Sequence, residues 1–139
     1  LPVRLANIFR GVSELIDTFS PDVCSIEITF VNKNPQTTLT LGHARAAAIV
    51  AVSSRDIPIY EYEPNKIKKA LTSAGHADKD QVYKMVRILL PAAHPKTPDE
   101  SDALAIALTH ANMTKFNFKK NALCAMIQGK GGKHEKRFL

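Results

Sequence analysis

The stretch VCSIEITF, residues 23–30, decides how the chain is read. It alternates. Cys24, Ile26, Ile28 and Phe30 fall on one side of an extended chain, and Val23, Ser25, Glu27 and Thr29 on the other. Its β-branched residues and the breakers Ser20-Pro21-Asp22 before it predict a strand. Outward from it, residues 3–19 place Leu5, Ile8, Val12, Leu15, Ile16 and Phe19 at helical spacing. After a loop at 32–35, residues 36–54 predict a long helix crowded at its centre by Ala44, Ala46, Ala47, Ala48 and Ala51. A second strand follows at 57–62, IPIYEY. Helix, strand, helix, strand implies parallel strands joined by a right-handed crossover, hence an α/β fold. Two parallel strands alone make a poor sheet, because such sheets bury both faces and usually hold several strands.

Three more helices are predicted: a short basic one opened by Pro64, one over DKDQVYKMVRILL, and one beginning in TPDESDALAIALTH, residues 97–110. Val82, Met85, Val86, Leu89 and Leu90 form the inner side of the second. In the third, Thr97, Pro98 and Glu100 have the spacing of a capping box with Pro in the first turn. Acidic residues there also suit the helix dipole. Asp99, Asp102, Ala103 and Ile106 share one face, so Asp102 leans toward apolar neighbours. Carboxylates at the rim of a core are costly unless a cation neutralises them. Glu27 is a third acid in an unusual place, between Ile26 and Ile28 in a strand that should be apolar on both faces. It lies near the carboxyl end of its strand, where ligands of open α/β sheets collect. An edge strand with Glu27 in water is the plainer alternative.

The chain's 139 residues suffice for one domain with a core, and 45% hydrophobic content excludes wholesale disorder. No apolar run approaches the roughly 18 residues of a membrane span. Cys24 and Cys124 fit no metal or redox spacing, so the default is a reducing, cytoplasmic setting. The five histidines share no zinc-like spacing and read as surface or structural. The net charge of +6 is localised: residues 1–112 balance to zero, and residues 113–139 carry the whole excess. With GKGGKHEKR near its end, 113–139 reads as a mobile basic tail, either solubilising or DNA-touching. Residues 64–90 are also locally basic, and Lys66, Lys69 and Lys84 read as a solvated face.

Taken together, I-E-x-x-F on the strand, G-x-A-R on the long helix, K-x-Q-V-x-x-M-V and D-x-x-D-A-L-A occur in one order from Leu1 to His110. In this the chain resembles the RuvC family of bacterial Holliday-junction resolvases. The resemblance implies an RNase H-like fold, a mixed central sheet flanked by helices, acting as a homodimer on four-way junction DNA beside branch-migration motor proteins. It implies metal-binding catalytic carboxylates at Glu27, Asp99 and Asp102, holding two Mg²⁺ ions. Lys68 and Lys79 match basic residues near the scissile phosphate, Phe30 matches an aromatic that stacks on bases, and Lys33 falls in the DNA-facing loop. Glu100 matches no ligand of the family.

The resemblance also implies an initial three-stranded meander carrying a fourth carboxylate, an Asp. No candidate for it exists here, and the chain begins with Leu. The expectation is therefore an amino-terminally truncated RNase H-like domain over residues 1–112, poorly soluble and inactive by itself. The alternatives are a non-catalytic DNA-binding or dimerisation remnant, and another RNase H-like nuclease.

Overall fold

A computed structural model describes residues 1–28 and 34–127, with 116–127 described through their backbone alone. The elements run α1 (Pro2–Phe19), β1 (Cys24–Glu27), α2 (Pro35–Ser53), β2 (Ile59–Tyr62), α3 (Pro64–Thr72), α4 (Lys79–Leu89) and α5 (Pro98–Ile127). Every expected element forms. β2 is shorter than the sequence indicated, the Ile28 N–H just beyond β1 still donates to the Tyr62 carbonyl, and residues 29 and 30 of the expected first strand lie outside the described residues.

β1 and β2 pair in parallel, with Cys24 opposite Ile59, Ser25 opposite Tyr60, Ile26 opposite Glu61 and Glu27 opposite Tyr62. They are the whole sheet among the described residues. The long crossover through α2 is what lets two consecutive strands run the same way. The period-two alternation then divides the sheet. Glu27 and Tyr62 share the face that meets α5, while Cys24 meets α1 and α2.

The helix ends follow local chemistry. The Asn34 side chain accepts from the Gln36 and Thr37 N–H groups at the start of α2. Asp78 and Gln81 form a reciprocal capping box on α4, a signal present in the sequence but overlooked in reading it. At α5, the Glu100 N–H donates to Thr97 Oγ1 as the spacing predicts, but the Glu100 carboxylate accepts from the Lys96 N–H, one residue beyond the cap. α1 and α3 both close on a left-handed serine, Ser20 at φ 46° and Ser73 at φ 60°.

The main core joins Tyr62, Ile67, Leu71, Ala77, Val82, Val86 and Ala105, from β2, the helices α3, α4 and α5, and the α3–α4 loop. Tyr62 Oη and His110 Nδ1 are 2.7 Å apart, tying β2 to α5 and giving His110 a structural role. Of the expected inner side of α4, Val82 and Val86 are buried, whereas Leu89, at the helix end, is exposed. On the other side of the sheet, Ile16, Ala51 and Val52 are buried between α1 and α2. Arg55 fastens this pair, with Nε and Nη2 donating to the two Asp17 oxygens at 2.8 and 3.0 Å and Nη1 donating to Ser13 Oγ. Much of the expected apolar face of α1 is uncovered among the described residues: Leu15 is 58% and Phe19 74% exposed.

α5 runs across residue 112, where the sequence placed the start of a tail. Residues 113–127 continue the helix because they contain no Gly or Pro; the first glycine beyond them is Gly129. Residues 128–139 lie outside the described residues. Among the described residues, no helix is long and apolar enough to cross a membrane.

Candidate active site

Glu27 closes β1 and reaches a cleft of about 230 Å³ between the strand ends and α3, α4 and α5. The other lining residues are Pro64, Ile67, Lys68, Lys79, Val82, Asp102, Ala105 and Ile106. Each element contributes by its periodicity. α3 brings Ile67 into the core and Lys68 beside it to the cleft wall. α4 offers Lys79 and Val82, one turn apart. α5 offers Asp102, Ala105 and Ile106 on one stripe, above the buried Thr109.

The charges in the cleft act on one another. The Glu27 carboxyl is half-buried and pushed up from its ordinary range, first by burial and next by the negative charge of Asp102. Lys79 and Lys68 pull it the other way. Lys79 Nζ lies 3.9 Å from Asp102 Oδ2, but Lys79 is 83% exposed and Asp102 50%, so this ion pair is weak by itself. A half-buried carboxyl raised by burial and by the charge of a second carboxylate, flanked by two lysines, forms a site that favours a bound cation on the acid side and a bound anion on the lysine side.

Asp99 stands in the exposed first turn of α5 and lines none of the described clefts. At 100° per residue it falls roughly 60° around the helix from Asp102. Among the described residues, no group of three or more His, Cys, Asp and Glu side chains is close enough to hold a metal. Phe30 and Lys33 lie outside the described residues. Lys66 and Lys84 are exposed, and Lys66 lies over the Tyr62 ring at 5.7 Å.

Sequence reasoning missed the apolar walls, Pro64, Ile67 and Ala105, which carry no charge pattern to single them out. It also missed what holds Glu27. Arg45 Nε donates to the Glu27 carbonyl oxygen at 3.2 Å, and Arg45 Nη2 donates to Glu61 Oε1. Arg45 appeared in the sequence only as the last letter of G-x-A-R.

Residues 1–110 match the family model described as crossover junction endodeoxyribonuclease RuvC. A relative of that name from Methylobacterium radiotolerans is 47% identical over 112 residues, which is 81% of this chain and 54% of the relative. Another, from Thiobacillus denitrificans, is 47% identical over 122 residues, 88% of this chain and 71% of the relative. The chain thus spans between about half and 71% of the length of these two relatives. The structure of Thermus thermophilus RuvC superposes with a TM-score of 0.75 at 35% identity, covering 82% of this chain and 69% of that one. The same protein in complex with Holliday junction substrate gives 0.77 at 35% identity, covering 82% and 70%.

Proposed function

Because the chain belongs to the RuvC family, we propose that the cleft at Glu27 and Asp102 is the hydrolytic centre of an endonuclease acting on four-way DNA junctions. The observation that carries this reading is the meeting of two carboxylates from distant segments with two lysines in one cleft. The alternation of charge suits a phosphodiester. Its backbone is anionic, and its hydrolysis adds negative charge at phosphorus.

The donor set fits a hard divalent cation. Glu27 and Asp102 offer carboxylate oxygens and already repel one another in the absence of a cation. Mg²⁺ ions held by Glu27 and Asp102, with Asp99 as a third ligand from the helix rim, would activate the attacking water and stabilise the leaving 3′ oxygen. The chain's own residues supply the rest. Lys68 and Lys79 neutralise the scissile phosphate from the α3–α4 side. Pro64, Ile67, Val82 and Ile106 form an apolar wall that limits water beside the carboxylates. In this reading Phe30 stacks on a base and Lys33 contacts the backbone. The substrate's two-fold symmetry and the need for two matched nicks call for a C₂ homodimer with one cleft per protomer.

The test is cleavage of a synthetic four-way junction in Mg²⁺ and in EDTA, beside a linear duplex of the same sequence. Metal-dependent paired nicks in the junction alone are the result expected of a protein that also carries the fourth carboxylate, the first-strand Asp that the family resemblance implies. Glu27→Gln and Asp102→Asn should abolish cleavage and leave junction binding intact. A variant cutting at the wild-type rate removes its residue from the site. One observation favours a second reading, a module that binds junctions without cutting them: no three metal-binding side chains converge among the described residues. Retained junction binding with no nicking in Mg²⁺ would select it.

A further inference from the structure

We infer that Arg45 is a positioning residue, which clamps the end of β1 and so sets where the Glu27 carboxylate stands in the cleft. The inference rests on the reading of that cleft as a hydrolytic centre. Glu27 is the last residue of β1, so its side chain is only as well placed as the strand end that carries it. In the ladder, Cys24 N–H donates to the Pro58 carbonyl and Ile28 N–H donates to the Tyr62 carbonyl. A parallel pair uses alternate residues, so the peptide groups of Glu27 turn away from β2. Its carbonyl accepts instead from Arg45 Nε at 3.2 Å. The same guanidinium holds Glu61 on β2, whose register partner is Ile26, next to Glu27. One rigid fork therefore ties α2, β1 and β2 together at the strand end that enters the cleft. Its own charge is balanced by Glu61 on the face away from Asp102. Arg45 is partly buried, with 24% of its side chain exposed, and Glu61 is 49% exposed. A lysine could not reproduce this, because a point ammonium lacks two divergent donors on a planar frame. Ligand geometry tolerates only about 0.5 Å of misplacement, which is the reason a clamp on the backbone matters.

The experiment uses the intact protein and four variants: Arg45→Ala, Arg45→Lys, Glu61→Ala and Glu61→Gln. Binding of Mn²⁺ alone is followed by electron paramagnetic resonance. Cleavage of a four-way junction is followed as a function of Mg²⁺, and thermal melting is recorded without metal. Arg45→Ala and Arg45→Lys should weaken Mn²⁺ binding, and raise the Mg²⁺ needed for half-maximal rate, by roughly tenfold, as loss of an outer partner of a metal ligand does. Their kcat should fall while the KM for the junction stays within about twofold, since junction contacts are untouched. Glu61→Gln keeps an acceptor for the guanidinium and should lose far less than Glu61→Ala. That conservative rescue separates positioning from general stability. Unchanged Mn²⁺ affinity in Arg45→Ala overturns the inference. So does a loss shared equally by Glu61→Gln and Glu61→Ala, or one that follows melting temperature across the four variants. If the wild type binds Mn²⁺ but leaves junctions intact, the nuclease reading fails while the Mn²⁺ series still decides the role of Arg45. A wild type that binds no Mn²⁺ overturns both.

Discussion

Glu27 shows how one side chain can be worse for the fold than for the chemistry. Its carboxyl is raised, chiefly by burial, then by Asp102. The sign follows from that direction. An acid held above its ordinary range in the folded state favours folding when protonated, and that contribution is lost as pH rises through its raised value. In metal-free buffer at pH 7, Glu27→Gln should therefore melt at or above the wild-type temperature. The gap should close as pH falls below the usual carboxylate range, where both proteins carry a neutral group. Adding Mg²⁺ should then raise the melting temperature of the wild type and not that of Glu27→Gln. A lower melting point for Glu27→Gln at every pH would mean that the carboxylate stabilises the fold and is no strained ligand.

At the scale of elements, two fastenings hold the site's scaffold, and they differ in kind. The first is apolar. Val86 is fully buried and packs in the cluster shared by α3, α4 and α5. Val86→Ala removes two methyl groups and leaves a void, a loss of about 2 kcal/mol. Urea unfolding should show the midpoint falling with an unchanged slope. Because Val82, one turn away, lines the cleft, cleavage should fall as well. The second fastening is polar. Arg55 lowers the Asp17 carboxyl by hydrogen bonding to it and joins α2 to α1. Asp17 is held below its ordinary range, so its contribution is present above that range and lost as pH falls through its lowered value. Arg55→Ala should lower the melting temperature by a few degrees at pH 7. The difference should shrink in acid without vanishing, because the bonds to Ser13 Oγ and the Ala51 carbonyl do not titrate.

For the whole molecule, what remains exposed is as telling as what is buried. α2 keeps Leu39, Leu41 and Val50 in solvent, on a helix whose alanines permit close approach of another backbone. We propose that this helix lies at or near the homodimer interface. Sedimentation equilibrium at micromolar concentration should give twice the mass of the chain, and Leu41→Asp should shift it toward the monomer. A monomeric mass for the unmodified protein would count against the dimer.

The order and type of every element were legible in the sequence. Each rests on a local cause: a period of 2 or 3.6, a cap, or a breaker such as Ser20-Pro21-Asp22. Glu27 stood out because a carboxylate between two isoleucines conflicts with its own strand. The continuation of α5 past residue 112 was also written locally, in the lack of Gly and Pro, though the charge pattern drew the eye elsewhere. Tertiary structure alone decided the rest. Whether Asp99 joins Asp102 depends on how α5 is rotated about its axis, and packing of Ala105 and Thr109 sets that rotation. Whether Lys68 and Lys79 meet one cleft depends on the approach of α3 and α4, which no residue of either helix encodes by itself. The hold of Arg45 on the Glu27 carbonyl joins a side chain to a backbone atom 18 positions away, a contact that exists only once the crossover has brought α2 back over β1.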